Sequence, residues 1–468
     1  MVAMIRHFLV RFQRLYGVAV LLCSLAVAVP AWAQFETRTT FVVPGAAVGT
    51  SIAIGDFNHD GKLDLALTLD RSLSILLGNG DGTFRQSVSY PGVFYSIVAA
   101  DFDDDGNLDL VVAPDADSIS VFLGNGDGTF QSPISSPTTY ACGFMAVGDF
   151  NGDGKVDVVV SDYLDISVLL GNGDGTFQPP INNNSFVAPG QLAVGDFNND
   201  HRLDVAAVGT FGGSSYLGVL LGNGDGTLQD ALTYPLSDPP GSIAAADFGK
   251  NGKLDVAIGA YFGDGVVVLL GNGEGGFGAP RDYPGGGLVL VQDFNRDGNL
   301  DIVSGIVLLL NNGNGTFREA PAAGLRPVGP VSAGLEAAGD LNGDGLPDLV
   351  LLDSEHEKIT ITLNTGALAF SPTTPINFGE QLIGTTSKPQ IVAIRNTGGK
   401  AILFHSISAS GPFEATDTCG GAIAAGAACK ISATFTPSKA GSQSGEITVE
   451  DAASSKPQYI ELSGAGKE

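Results

Sequence analysis

Short apolar segments alternate with clusters of Gly, Asn and Asp along most of the chain. In the first example, an apolar segment at 51–54 precedes an Asp-rich loop, and further segments run from Leu63 to Leu67 and from Leu73 to Leu77. No long stretch shows the 3.6-residue period of an amphipathic helix. Short apolar runs bounded by turn residues are typical of strands, so the pattern predicts an all-β protein.

This unit occurs seven times, and two landmarks define it. The first, the Asp loop, is typified by DFNHDGKLD from Asp56, and the seven leading aspartates lie 45–51 residues apart. The second, the Gly turn, is typified by GNGDG from Gly78 and decays to TLNTG from Thr362 in the last copy. The Gly turn is a hairpin signal because its residues tolerate positive φ. Four strands per unit match one propeller blade, so seven units predict a seven-bladed β-propeller, with a linear solenoid as the alternative.

The ends of the repeat region suggest how the ring closes. The seventh repeat lacks a fourth strand, whereas the segment 39–45 near the N-terminus resembles 86–92, the fourth strand of repeat one. We therefore expect the N-terminal strand to complete the last blade, which would remove a free sheet edge.

The Asp loops have the composition of a calcium site. Ca²⁺ takes six to eight oxygens from carboxylates, amides and backbone carbonyls, and Gly61 allows the sharp turn that would gather them. Asp, Asn and Gly also form simple turns, but a tight loop of several carboxylates repels itself without a cation. The predicted side-chain ligands are Asp56, Asn58, Asp60 and Asp64; Asp101, Asp103, Asp105 and Asp109; Asp149, Asn151, Asp153 and Asp157; Asp196, Asn198, Asp200 and Asp204; Asp247, Asn251 and Asp255; Asp293, Asn295, Asp297 and Asp301; and Asp340, Asn342, Asp344 and Asp348.

The seven loops are not equivalent. Loop 2 is the most acidic, and loop 4 has His201 at the Gly position, which His tolerates better than most residues. Loop 5 has Gly249 and keeps only two carboxylates, so we expect it to be the weakest site or to bind no ion. An EF-hand is rejected because Leu67 replaces the Glu at position twelve and a strand follows.

The motif DFNxDGxxDLxV followed by GNGDGTF resembles FG-GAP/VCBS repeats, the type that builds the integrin α-chain propeller. The resemblance implies a propeller over residues 34–366 with Ca²⁺ in the hairpin loops of one face, and it implies no single function. After Thr365 the Asp loops stop, and strands with a short Cys419–Cys429 loop suit an immunoglobulin-like sandwich over 371–468. That segment resembles choice-of-anchor D or Hydin-like (ASH) domains, which suggests a spacer or attachment role.

The N-terminus and the charge point to export. Residues 1–33 combine three arginines, an apolar stretch and an Ala-Trp-Ala cleavage site, so we expect a secretory signal peptide and a secreted, cell-surface or periplasmic protein. The net charge of −27 becomes about −30 when those arginines are removed, which excludes nucleic acid and favours cations. Cys419 and Cys429 would pair in an oxidising compartment. We expect a monomer without a transmembrane segment in the mature chain.

Strand order predicts that the Asp loops and Gly turns share one face, here called the loop face. The opposite face, here called the variable face, carries the segments that differ between blades. Non-recurring aromatic residues there are ligand-contact candidates, unless they only cap blade interfaces: Tyr95, Tyr163, Phe211, Tyr216, Tyr261 and Phe262. Tyr90, Tyr234 and Tyr283 recur as Tyr-Pro, which indicates a structural role.

No catalytic motif is present in the sequence. We therefore expect a secreted binding or adhesion module for an extracellular protein or carbohydrate. A structural cell-surface scaffold and a Ca²⁺-dependent polysaccharide-active enzyme are the alternatives.

Overall fold

The structure is a computed structural model of the chain, and the residues it describes form strands and no helices. It describes residues 35–43, 51–69, 71–114, 117–139, 143–161, 165–183, 189–261, 265–295, 298–320, 333–343, 345–353, 357–364, 368–371, 376–396, 401–424, 426–451 and 457–468. The predicted signal peptide, Cys142, Tyr163 and Phe262 lie outside these residues. Within them, no helix is long and apolar enough to span a membrane.

Twenty-eight strands lie in the described part of the repeat region. They are β1 (Phe35–Val42), β2 (Ile52–Gly55), β3 (Asp64–Leu69), β4 (Ser72–Gly78), β5 (Phe84–Pro91), β6 (Phe94–Ala100), β7 (Asp109–Pro114), β8 (Ser118–Phe122), β9 (Ile134–Pro137), β10 (Phe144–Gly148), β11 (Asp157–Ser161), β12 (Ile166–Leu169), β13 (Ile181–Asn183), β14 (Pro189–Gly195), β15 (Asp204–Phe211), β16 (Ser214–Leu220), β17 (Leu232–Leu236), β18 (Pro240–Ala246), β19 (Asp255–Ala260), β20 (Val266–Leu269), β21 (Arg281–Tyr283), β22 (Val289–Gln292), β23 (Asp301–Ser304), β24 (Val307–Asn311), β25 (Phe317–Ala320), β26 (Ala333–Gly339), β27 (Asp348–Asp353) and β28 (Lys358–Asn364).

These strands form seven antiparallel four-stranded sheets. Blades 1 to 6 are β2–β5, β6–β9, β10–β13, β14–β17, β18–β21 and β22–β25, and blade 7 has the order β1-β28-β27-β26. The first strands of consecutive blades are neighbours all the way round, including β26 and β2. The seven sheets therefore form a closed ring with the first strands innermost, and the solenoid alternative is wrong.

The N-terminal strand closes the last blade, as the sequence predicts. β1 starts four residues earlier than the predicted segment and pairs antiparallel with β28 from Phe35↔Asn364 to Val42↔Lys358. Phe35 is buried, and its ring lies edge-on to Phe294 of blade 6 at 6.2 Å. The first strand of the described chain thus also contributes to the junction between blades 6 and 7.

The apolar cores lie between blades. One buried cluster lies at each of the seven junctions in the described residues. In β3, Leu65 and Leu67 pack toward blade 7, whereas Ala66 packs toward blade 2. Because both sides of a middle strand are buried, its sequence is a continuous apolar run and does not alternate.

Hydrogen bonds join each blade to the previous one on the loop face. The backbone N–H of a Gly-turn glycine donates to the carbonyl of the second Asp-loop residue, as from Gly128 to Phe57 at 2.9 Å. The corresponding donors are Gly82 to Leu341, Gly175 to Phe102, Gly226 to Phe150, Gly275 to Phe197 and Gly315 to Phe248. The last junction uses the Asn364 side-chain amide, which donates to Phe294 at 2.8 Å. The Asp loops and Gly turns therefore lie on one face, as predicted.

The recurrent tyrosines have structural roles, as the sequence indicates. Tyr90 Oη accepts from the Phe130 backbone N–H at 2.6 Å, and the two rings meet edge-on. Tyr234 and Tyr283 meet the rings of Phe277 and Phe317 in the same way. Each tyrosine thus links a fourth strand to the Gly-turn region of the following blade.

The C-terminal segment folds as two sheets around its own core. Its strands are β29 (Leu368–Ser371), β30 (Ile376–Leu382), β31 (Gln390–Asn396), β32 (Ile402–Ala409), β33 (Phe413–Asp417), β34 (Ala422–Ile423), β35 (Ala428–Phe435), β36 (Gly441–Asp451) and β37 (Gln458–Lys467). The sheet orders are β29-β31-β35-β33 and β30-β37-β36-β32-β34, which make an immunoglobulin-like sandwich. Cys419 and Cys429 form a disulfide.

The glycine that precedes four of the Asp loops accepts a side chain from the next blade. A Cβ added to Gly195 would lie 2.3 Å from Leu254 Cδ1, and one added to Gly148 would lie 2.4 Å from Leu203 Cδ1. Gly55 and Gly339 meet Leu108 and Leu63 in the same way. Where Ala100 replaces the glycine, the side chain from the next blade is the smaller Val156, in the same cluster. Glycine is thus needed here for close approach and not for its φ.

This contact predicts a compensating pair of substitutions. Gly195→Ala should lower the free energy of unfolding by about 1–3 kcal/mol, because the added methyl overpacks the junction against Leu254. Leu254→Val in the same chain should recover most of that loss, which a double-mutant cycle in urea would measure.

Gly278→Ala is the matched control, since its Cβ would meet nothing closer than 3.6 Å. If Gly195→Ala costs no more than this control, the blade contact does not limit packing.

Candidate metal-binding loops and the opposite face

Two aspartates fold each Asp loop. The first, Asp56 in loop 1, accepts the backbone N–H of Asp60 at 3.1 Å and that of Gly61 at 2.8 Å. The last, Asp64, is fully buried and accepts from Phe57 at 3.0 Å and from Gly78 at 2.7 Å. Asp64 thus fastens the start of the loop to the Gly turn of the same blade.

The buried last aspartate is the most regular feature of the seven loops. Asp109, Asp157, Asp204, Asp255, Asp301 and Asp348 are also fully buried, and each accepts one N–H from its own loop and one from the end of its third strand. A carboxylate oxygen has two acceptor positions, so these bonds leave capacity for a cation. Burial raises the pKa of Asp109 and of Asp204 to about 6, because desolvation disfavours the charged form.

Two positions of the Asp loops adopt left-handed backbone wherever the structure describes them. The sixth position is Gly in six loops and His201 in loop 4, where φ is +67° and the N–H still donates to Asp196 at 2.8 Å. The loop therefore forms with His, as predicted. The fourth position is also left-handed, at His59, Asp104 and Lys250 among others. The sequence reasoning missed this position, although Gly, Asn, Asp or His, which tolerate left-handed backbone, occupies it in most loops.

Loop 2 brings three carboxylates together. Oxygen atoms of Asp101, Asp103 and Asp109 lie within 4.8 Å of one another. Asp103 Oδ1 is buried and has no hydrogen-bond partner. Burial and the neighbouring charge of Asp105 raise the pKa of Asp103. A buried, unpartnered oxygen beside two other carboxylates is the donor set of a hard cation such as Ca²⁺.

The other loops differ in whether their carboxylate oxygens already accept hydrogen bonds from side chains. In loops 3 and 4 the amide of Asn151 donates to Asp153 at 3.2 Å, and that of Asn198 donates to Asp200 at 3.1 Å. Loop 5 keeps its shape through Asp247 and Asp255, while Gly249 has no side chain to offer. Asp297 and Asp344, candidates in loops 6 and 7, lie outside the described residues.

Exposed large apolar side chains of the described propeller lie mostly on the variable face, and Leu232 and Leu300 are the exceptions. Tyr95, Phe144, Phe211 and Tyr261 are 50%, 41%, 61% and 64% exposed, and each lies at the strand end away from its Asp loop. Val93 and Ile306 are exposed at the same end. Sequence reasoning missed Phe144, whose exposure depends on how its strand begins. Tyr216 is half-buried against the cluster between blades 3 and 4, which does not favour its predicted role as a ligand contact.

The family comparisons fit this architecture. Five segments match the FG-GAP-like repeat family: residues 56–112, 101–160, 149–207, 196–258 and 293–351. The chain belongs to the FG-GAP-like repeat family. Each matched segment starts at the leading aspartate of an Asp loop and extends into the next blade. Residues 366–465 match the HYDIN/CFA65/VesB-like Ig-like domain. Both families are repeat or Ig-like modules and not enzyme families.

Solved structures also resemble parts of the chain, at low sequence identity. One is an Agrocybe aegerita lectin described as recognising non-reducing terminal N-acetylglucosamine, at 20% identity and TM-score 0.43, covering 57% of this chain and 78% of that one. Another is BBS1N in complex with ARL6DN, at 15% identity and TM-score 0.46, covering 71% and 98%. A third is the ASH/PapD-like domain 7 of human CEP192, at 19% identity and TM-score 0.19, covering 22% and 86%. No curated protein matches the chain.

The raised pKa values predict how stability without metal depends on pH. Asp109 and Asp204 bind protons more tightly in the folded chain than at the ordinary pKa of 3.8, so folding takes up protons. Their ionised forms destabilise the fold above about pH 6, and this cost is relieved as the pH falls toward 4. In excess chelator, the melting temperature should therefore be higher at pH 5 than at pH 7.5.

Saturating Ca²⁺ should reverse this trend, because protons compete with the ion for the same oxygens. A melting temperature in chelator that falls between pH 7.5 and pH 5 would show that these carboxylates do not carry an ionisation cost.

Proposed function

We propose that the protein is a secreted, calcium-binding propeller that acts as a binding or adhesion module for an extracellular protein or carbohydrate. The observation that carries the binding role is that the exposed aromatic rings among the described propeller residues all lie on the variable face. Aromatic residues are enriched in binding interfaces relative to the rest of a protein surface. The loop face is nearly the same in every blade, so selectivity for a partner belongs to the face that differs.

In this proposal, calcium stabilises the propeller and does not contact the partner that the propeller binds. The oxygen cluster of loop 2 and the buried aspartates of all seven loops support binding of a hard cation. Each Asp loop also accepts the hydrogen bond that joins it to the next blade. An ion held by a loop would thus stabilise the folded ring by mass action.

Repairing loop 5 tests the ligand set directly. Gly249→Asn with Asn251→Asp creates the sequence DFNKDGKLD, which supplies the missing side-chain oxygens. No left-handed φ bars the substitution at Gly249, and the nearest atom to a new Cβ is Asn251 Nδ2 at 3.0 Å. Native mass spectrometry with excess Ca²⁺ should show one more ion per chain than in the wild type.

Gly249→Ala is the control, because it changes the backbone without adding a ligand. Asp101→Asn with Asp103→Asn in loop 2 should remove one ion. If the repaired loop 5 variant and the loop 2 variant both bind as many ions as the wild type, the Asp loops are not the calcium sites.

Removing the exposed rings tests the binding face. The chain with Phe211→Ala and Tyr261→Ala should lose at least about tenfold in affinity for whichever partner is found on panels of polysaccharides and purified extracellular proteins. Tyr459→Ala removes an equally exposed ring (58%) from the Ig-like domain and should have no effect. A wild-type chain that binds nothing on either panel would favour the scaffold alternative, and product release from a polysaccharide would favour an enzyme.

A further inference from the structure

Among the described residues, four consecutive blades each place one exposed aromatic ring on the variable face. The rings are Tyr95 in blade 2, Phe144 in blade 3, Phe211 in blade 4 and Tyr261 in blade 5. Tyr95 and Phe144 lie where the innermost strands begin, and Phe211 and Tyr261 lie where the second strands end. These four described rings therefore form an arc, with one of them in each of blades 2 to 5.

The backbone that carries the two most exposed rings is fixed. Phe211 pairs with Ser214 across the two-residue turn Gly212-Gly213, where both glycines have positive φ. The backbone N–H of Tyr261 donates to the Pro239 carbonyl at 2.8 Å, in the connection between blades 4 and 5. Rings held on ordered backbone lose little conformational entropy when a ligand covers them.

The charge around the arc disfavours anionic partners, and an exposed cation next to it is Arg71 of blade 1, whose carbonyl accepts the Gly92 N–H at 3.1 Å. The segments at this end of blades 2 to 5 contain no lysine and no arginine: 91–95, 114–118, 137–144, 161–166, 183–190, 209–215, 236–241, 260–266 and 283–288. Exposed charged side chains among their described residues are Asp117 and Asp238, both acidic. The whole chain is strongly negative as well, at −27. A polymer with regular negative charges would be repelled.

We infer that the arc binds an uncharged polysaccharide chain, which rests on the proposed binding role of the variable face. A sugar ring has an apolar face and a polar rim, which suits an aromatic ring flanked by Ser, Thr, Gly and Pro. A protein partner would need a contiguous apolar patch, whereas these rings are spaced by the repeat of the blades. A polymer of repeating units can cover several such contacts at once, and each added contact multiplies the affinity.

Chain length is the decisive variable. Affinity for a neutral oligosaccharide series, measured by calorimetry from two to about ten sugar units, should rise steeply once a chain spans two rings. Free monosaccharide should not compete. Affinity electrophoresis in gels that contain a neutral glucan or mannan should retard the wild-type chain, whereas alginate, which is anionic, should not.

Single variants test which rings take part. Phe144→Ala, Phe211→Ala and Tyr261→Ala should each weaken binding of the long neutral chain by about three- to tenfold, with unchanged melting temperatures. Tyr459→Ala should bind as the wild type does. Equal affinity for short and long chains, or wild-type affinity for the polysaccharide in all three variants, would contradict the proposed polysaccharide site.

The inference and the proposed function can fail separately. Suppose that the chain binds no neutral polysaccharide but binds a purified protein, and loses that binding with Phe211→Ala and Tyr261→Ala. That result would support the variable face as the binding site and contradict the polysaccharide as its ligand. If a partner binds equally well to wild type and to that variant, the proposed face itself is wrong.

Discussion

The propeller depends on one buried carboxylate in each blade. The last aspartate of each Asp loop, such as Asp64, lies in the interior and accepts one amide from its own loop and one from the end of the third strand. Burying an ionised carboxylate is costly, and the two backbone hydrogen bonds that each of these groups accepts offset only part of that cost, since burial still raises the pKa of Asp109 and of Asp204 to about 6. Because this group fixes the loop against the turn, it sets the position of both landmarks in the blade. The landmarks then bond to the neighbouring blade, so the same interaction, repeated seven times, determines the loop face.

That arrangement separates stability from recognition. The loop face is occupied by hydrogen bonds between blades, such as the one from Gly128 to Phe57, and by carboxylates suited to a cation. Its residues cannot vary freely without loosening a junction. Among the described residues of the variable face, no hydrogen bond between blades recurs at every junction, and loops positioned by a rigid scaffold can change there without loss of the ring. The exposed rings of Phe211 and Tyr261 lie on that face.

Sequence repetition was enough to predict the blade number, the closing strand and the sharing of one face by the Asp loops and Gly turns. Each follows from chain order and a fixed spacing. The contact of Leu254 with Gly195 was not predictable in this way, because it joins residues that become neighbours only after two blades pack. The solvent exposure of individual aromatic side chains was not predictable from the sequence either. Phe94 and Tyr95 are adjacent in sequence, yet Phe94 packs against Phe122 and Tyr95 faces solvent. The predicted metal ligands share a loop, but no pattern of residues reveals that Asp103 Oδ1 is left without a hydrogen-bond partner.

Thermal unfolding of the mature chain with and without calcium is the most direct measurement of the central claim that the Asp loops hold ions which stabilise the ring. A chelator should lower the melting temperature by several degrees, and added Ca²⁺ should restore it better than Mg²⁺, which demands a stricter octahedral site. An unchanged melting temperature in chelator, with no bound calcium found by elemental analysis of the purified chain, would contradict the claim.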